Sequence, residues 1–259
     1  MDQSVNYAAL IEALIDPVRE AGAAILEIHA RGVVAEVKSD GSPVTEADQA
    51  AEDILLAALS KIAPHITIIS EENADSHALA AESLFFLVDP LDGTKEFLRV
   101  DGQGAFTVNI GLVSEGVPVM GIVYAPALDR LFVGALGIGA REMTGGVDQA
   151  ISVRSLPSTG AVAVASRSHR DDATNEWLQT YGIENTIATG SSLKFCLVAA
   201  GEADVYPRFG PTMEWDTAAG DAVLRAAGGG VFMPDGVFYP YGKPSYRNGA
   251  FIACGQFSL

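Results

Sequence analysis

Basic residues are scarce in this chain. Sixteen lysines and arginines stand against 33 aspartates and glutamates, a formal net charge of −17. A surface so acidic excludes binding of a nucleic-acid polymer through a phosphate-tracking patch. It remains compatible with a small phosphorylated substrate, because bound divalent cations reverse the local field. Cysteine is scarcer still. Cys196 and Cys254 both sit in apolar runs and read as buried thiols, and a disulfide scaffold is not expected in a chain of 259 residues. No apolar run approaches the roughly 18 residues that span a bilayer. The opening MDQSVNYAAL carries an early acid and no basic region of the secretory type. The expected location is cytoplasmic, with peripheral contact at the inner membrane left open.

Hydrophobic residues make up 49% of the chain and charged ones 19%, enough for a substantial core and too apolar for long disorder. Leu10, Leu14, Val18, Ile25 and Ile28 recur at helical spacing and predict an amphipathic helix over residues 5–30. A turn at Asp40-Gly41-Ser42-Pro43 follows. Thr45 with Asp48 three residues on has the form of an N-capping pair for a second helix over 46–62. Short buried strands are predicted at 66–70 and 84–88, then an antiparallel meander at 105–113, 117–124 and 130–133. Beyond it, strands at 161–165, 184–188, 204–206, 230–232 and 251–254 alternate with helices at 172–181, 191–200 and 215–227. The chain therefore divides into an N-terminal α+β half, 1–150, and a C-terminal α/β half, 151–259, with a site expected in the cleft between them.

The sharpest local pattern is Asp89-Pro90-Leu91-Asp92-Gly93-Thr94, two carboxylates three apart at the end of a hydrophobic strand. Pro90 fixes the backbone between them, and Gly93 permits a tight turn that exposes amides. A short helix starting there suits a phosphate. Read alone, the stretch is equally an acidic turn with Asp92 as a helix cap. Glu71 and Glu72, however, end the neighbouring strand, and Asp216 opens a separate helix. Acids converging in one cleft repel one another unless cations bridge them. Hard oxygen donors in this number select Mg²⁺ or Mn²⁺ over zinc, and such ions activate water and stabilise the leaving oxygen of a phosphate ester. The aspartyl-phosphate mechanism of haloacid-dehalogenase-type phosphatases fits less well, because their D-x-D-G-T motif has one residue fewer between the acids and lies near the start of the chain.

These stretches, with Val44-Thr45-Glu46-Ala47-Asp48, Ser70-Glu71-Glu72 and Trp215-Asp216, resemble the inositol monophosphatase superfamily of Mg²⁺-dependent, Li⁺-sensitive phosphatases over residues 7–254. The resemblance implies an α+β fold, the layered α/β/α/β/α sandwich shared with fructose-1,6-bisphosphatases. Within the superfamily, Lys95-Glu96-Phe97, Phe106-Thr107-Val108-Asn109-Ile110, Gly190-Ser191-Ser192-Leu193-Lys194-Phe195 and Tyr206-Pro207-Arg208-Phe209-Gly210-Pro211 are most similar to the CysQ-type branch. Enzymes of that branch hydrolyse 3'(2'),5'-bisphosphate nucleotides, turning adenosine 3',5'-bisphosphate into AMP and phosphate.

By position the resemblance implies that Glu71, Asp89, Asp92, Asp216 and the Leu91 carbonyl bind two or three Mg²⁺ ions, with Mn²⁺ as a substitute. Asp48 and the Thr94 hydroxyl would orient and deprotonate the attacking water. The Gly93 and Thr94 amides would hold the scissile phosphate, and Ser191, Lys194, Arg208 and His169 would contact the nucleotide. It also places Lys38 near the metal site, where an ordinary exposed base is the plainer reading. One departure is Ala105, where the family usually carries an acid.

His29, His65 and His77 have no partner pattern and read as surface or core residues; Trp177 and Trp215 read as core, Trp215 wedging the Asp216 loop. The nearest rival activity is hydrolysis of an inositol or sugar monophosphate. A phosphate- or metal-sensing module is disfavoured, since Asp48, Thr94 and every expected ligand are present. A monomer or homodimer is expected.

Overall fold

The computed structural model describes residues 5–32, 36–37, 43–98, 104–166 and 171–257. His169, Lys38 and the turn residues Asp40, Gly41 and Ser42 lie outside them. Helix α1 (Tyr7–Arg31) starts where the Asn6 side chain accepts the Ala9 amide hydrogen. The short pair β1 (Glu36–Val37) and β2 (Pro43–Val44) leads to α2 (Glu46–Ile62), whose start is the expected capping box of Thr45 and Asp48. Leu10, Leu14, Val18, Ile25 and Ile28 all lie on the buried face of α1, which packs beside α2.

Next come β3 (Thr67–Ser70), β4 (Leu84–Asp92), the one-turn α3 (Thr94–Phe97), β5 (Thr107–Ser114), β6 (Val117–Ala125), β7 (Arg130–Ala135), β8 (Gly139–Thr144) and β9 (Val147–Ile151). They form one seven-stranded sheet in sequence order, antiparallel except for the parallel β3–β4 pair. The meander is thus longer than its apolar pattern predicts. In the hairpin of β8 and β9, turned at Gly145-Gly146, the buried positions of β8 hold Ala140 and Glu142 and β9 is mostly exposed, so it carries little hydrophobic signal and falls where the sequence suggests a boundary.

The remaining chain supplies β10 (Val162–Ser166), α4 (Asp172–Thr180), β11 (Asn185–Thr189), α5 (Leu193–Ala199), β12 (Val205–Arg208), β13 (Thr212–Met213), α6 (Ala218–Ala226), β14 (Gly230–Phe232), β15 (Arg247–Asn248) and β16 (Phe251–Cys254). A second sheet runs β11-β10-β12-β16-β14, parallel across its first three strands and antiparallel at β16.

Three apolar clusters separate five layers. Phe86, Val88, Ile110 and Ile122 pack on α1 and α2. The opposite face of that sheet, with Phe85, Leu87 and Val123, joins α5, α6 and the inner face of the second sheet at Tyr206, Phe251 and Ala253. Ala163, Val205 and Ile252 cover the outer face together with Leu178 of α4. The architecture is the α/β/α/β/α sandwich, with α5 and α6 in the middle. Cys196 and Cys254 are buried and free. Among the described residues, no helix is long and apolar enough to cross a membrane.

Candidate active site

In a regular strand, residues three apart point to opposite faces. Asp89 and Asp92 escape this through a bulge. Asp89 pairs with Asn109 and Asp92 with Thr107, so three steps along β4 match two along β5. Pro90, which has no amide hydrogen for the ladder, sits inside the bulge. Gly93 then takes a left-handed conformation, φ 91°, and a Cβ there would stand 2.2 Å from the Ser191 hydroxyl oxygen. The cap of α3 is Gly93, not Asp92, so the plainer reading of Asp92 as a helix cap fails. Asp92 Oδ2 instead accepts from the Ser192 amide at 2.6 Å and the Ser192 hydroxyl at 2.8 Å.

Asp216 is likewise no cap. Helix α6 begins two residues later, behind Thr217, and Asp216 Oδ2 accepts from the Met213 amide at 2.7 Å. One carboxylate oxygen from each of Glu71, Asp89 and Asp216 lies within 4.8 Å of the others, although the three come from the end of β3, from β4 and from the approach to α6. Burial, reinforced by the charges of Glu71, Asp92 and Asp216, raises the Asp89 carboxyl well above its usual range. Asp216 is raised well above it for the same reason, burial first and then Asp92 and Glu71.

The donor set fits a hard divalent cation. It offers carboxylates and no thiolate or imidazole. Asp89 Oδ2 is buried without a hydrogen-bond partner, and so are the side-chain polar atoms of Asn109 and the Thr107 hydroxyl on the paired strand. Buried polar groups are otherwise satisfied almost everywhere in proteins, so this orphaned group asks for an ion and its water.

Asp48 divides its two oxygens. Oδ2 accepts from the Thr45 amide at 2.7 Å and the Thr45 hydroxyl at 2.8 Å, completing the capping box. Oδ1 faces the Thr94 hydroxyl at 3.4 Å, which lies equally far from the Leu91 carbonyl oxygen. Capping therefore fixes the carboxyl and leaves one oxygen directed at Thr94.

A cleft of about 260 Å³ opens over these groups, lined among others by Glu71, Asp92, Thr94, Lys194, Arg208 and Asp216. The Ser191 hydroxyl lies within hydrogen-bond distance of the carbonyl oxygens of Asp92, 2.8 Å, and Ala105, 2.6 Å. Lys194 is buried, donates to the Ser191 carbonyl at 2.6 Å and stands 5.2 Å from the Tyr206 ring centroid. Burial lowers its ammonium to about 8, opposed by Asp92. Arg208 donates from Nε to the Gly210 carbonyl and from Nη2 to the Pro211 carbonyl, both at 3.2 Å.

Two participants were not legible in the sequence. Ser192 shares its hydroxyl between Asp92 Oδ2 and the Asp216 carbonyl oxygen, 2.8 Å from each, and so joins two acids of the site. Glu52, one helical turn beyond Asp48, is buried and accepts from the Ser70 hydroxyl at 2.5 Å. Burial raises its carboxyl, against the Ser70 bond. The Asp48–Glu52 spacing of four was the available signal, since it puts both acids on one helix face.

A five-layer α+β protein with a nest of acids in a cleft that also holds Lys194 and Arg208 defines the class. The inositol monophosphatase family model matches residues 6–256. The chain is 45% identical to the 3'(2'),5'-bisphosphate nucleotidase CysQ of Salmonella typhimurium over 225 residues, covering 86% of this chain and 89% of that one. It is 44% identical to the same enzyme of Escherichia coli K12, covering 82% and 86%. A crystal structure of CysQ from Bacteroides thetaiotaomicron, 35% identical, superposes with a TM-score of 0.82 over 98% of this chain and 99% of the other. The chain belongs to the inositol monophosphatase family.

Proposed function

We propose that the protein is a Mg²⁺-dependent 3'(2'),5'-bisphosphate nucleotidase that converts adenosine 3',5'-bisphosphate to AMP and phosphate. The observation that carries this reading is the meeting of Glu71, Asp89 and Asp216 beside the Asp48–Thr94 pair. Relatives that share 45% of their residues over most of the chain carry that activity in their names.

Glu71, Asp89, Asp92, Asp216 and the Leu91 carbonyl would hold two or three Mg²⁺ ions. Bound Mg²⁺ supplies Lewis-acid charge to the phosphoryl oxygens and makes water more acidic. Thr94 orients the attacking water through its hydroxyl, and Asp48 Oδ1, which faces that hydroxyl, takes the proton. The water oxygen bonds to phosphorus as the ester P–O bond breaks, and the departing ribose oxygen takes up a proton from solvent to become the hydroxyl of AMP. The amides of Gly93 and Thr94, which begin α3 and so lack intrahelical partners, hold the phosphoryl oxygens. Lys194 and Arg208 bring positive charge to the second phosphate. Ser191 and His169 complete the proposed nucleotide contacts.

The test compares phosphate release from adenosine 3',5'-bisphosphate, inositol 1-phosphate and fructose 1,6-bisphosphate, with Mg²⁺ and with EDTA. The proposal expects Mg²⁺-dependent release that is fastest on the nucleotide. Preference for inositol 1-phosphate would replace the substrate assignment, and no release from any ester would leave a sensing module.

A further inference from the structure

The acid cluster requires two segments from different layers to stay together. One is the end of β3, an edge strand of the seven-stranded sheet, which carries Glu71. The other is the Trp215-Asp216 pair ahead of α6 in the middle layer. The imidazole of His77 meets both. Its Nε2 lies 2.8 Å from the Ser70 carbonyl oxygen, next to Glu71. A carbonyl only accepts, so Nε2 carries the hydrogen. The ring also stacks on Trp215, with centroids 4.7 Å apart and planes inclined by 20°. Trp215 is buried and adjacent to Asp216.

The segment carrying His77 is itself fastened. It is a 3₁₀ turn, Ala74–Ala78. The Ser76 hydroxyl oxygen accepts from the Ser70 amide at 3.1 Å and donates to the Asn73 carbonyl at 2.6 Å. Just beyond the turn, the Tyr246 hydroxyl donates to the Leu79 carbonyl at 2.8 Å. The imidazole is therefore presented from an anchored support.

We infer that His77 is a positioning residue that clamps the Glu71 segment to the Asp216 segment and thereby sets how tightly the acid cluster binds Mg²⁺. The inference rests on the Mg²⁺ reading above. A hydrogen bond and a ring stack of ordinary strength that hold the two segments at the spacing the ion needs correspond to about a tenfold change in affinity.

Calorimetric titration of Mg²⁺ into EDTA-stripped protein, paired with urea unfolding without metal, tests it. His77→Ala is expected to bind Mg²⁺ about tenfold more weakly. His77→Gln keeps a donor for Ser70, and His77→Phe keeps the stacked ring. Both are expected to fall between, with metal-free unfolding midpoints near wild type. Equal Mg²⁺ affinity in wild type and the folded variants overturns the inference. So does weakening confined to variants whose metal-free midpoint has also dropped. Wild-type protein that binds no Mg²⁺ overturns the cluster reading itself, a separate result from normal binding in the wild type and His77→Ala alike.

Discussion

Gly121 of β6 and Ala219 of α6 meet backbone to backbone: a Cβ on Gly121 would stand 2.1 Å from the Ala219 carbonyl oxygen. Gly121 is paired with Gly111 on one side and Gly134 on the other, and a Cβ on either would also strike α6. Three strands thus present a row without side chains, and α6 lies in it. Asp216 stands two residues ahead of this helix, so the depth of the groove sets where Asp216 stands relative to Asp89. Gly121→Val is expected to cost about 1–3 kcal/mol or more through overpacking and to weaken Mg²⁺ binding. Urea unfolding and Mg²⁺ titration check this; an unchanged midpoint would contradict it.

Asp89→Asn is expected to nearly abolish turnover while leaving the fold intact. The metal-free protein should become more stable, because the substitution removes a buried carboxylate from among like charges. Thermal unfolding in EDTA, alongside the phosphate assay, measures both effects. Normal activity would remove Asp89 from the mechanism, and a lower unfolding temperature would show that repulsion does not dominate there.

Most helices and strands could be read from apolar spacing, and the acids of the site from Asp89-Pro90-Leu91-Asp92-Gly93-Thr94 with Glu71 and Asp216. What escaped depends on contacts between distant segments. Gly111, Gly121 and Gly134 become a groove only once their strands are paired. Ser192 acts through Asp92, and His77 through Ser70 and Trp215, so neither has a local pattern. The hairpin of β8 and β9 has no apolar alternation because the buried positions of β8 hold Ala140 and Glu142 and β9 is mostly exposed. Helix α6 was predicted to start at Trp215, whereas residues 214–217 form the loop that holds Asp216.

Asp204 ties the second sheet to the segment that leads into it. Its carboxylate is buried and accepts from Arg154 at 2.7 and 2.9 Å and from the Val162 amide at 2.7 Å. Burial alone would raise it, but the Arg154 and Val162 bonds and the Arg154 charge outweigh burial and hold it below the usual carboxylate range. A depressed folded value gives stability that is present above the unfolded value, near pH 3.9, and lost as pH falls through the folded one. Asp204→Asn is expected to cost about 1–3 kcal/mol at pH 7. The gap from wild type should close in acid below the unfolded value. Urea unfolding across pH reads this, and a gap independent of pH would contradict it.

Arg208→Ala is expected to raise KM for adenosine 3',5'-bisphosphate by about 10- to 100-fold, the worth of a charge-assisted hydrogen bond. It should change kcat little and should scarcely affect any residual action on inositol 1-phosphate. Steady-state kinetics on both substrates decide this. An equal loss on the two would place Arg208 outside recognition of the second phosphate.

The proposed activity requires Glu71, Asp89 and Asp216 to share a divalent cation. Diffraction from Mn²⁺-soaked crystals, recorded at the manganese absorption edge, tests that directly. An anomalous peak is expected among these three carboxylates, lost when EDTA strips the metal. Mn²⁺ bound only elsewhere, with these carboxylates empty, would contradict it.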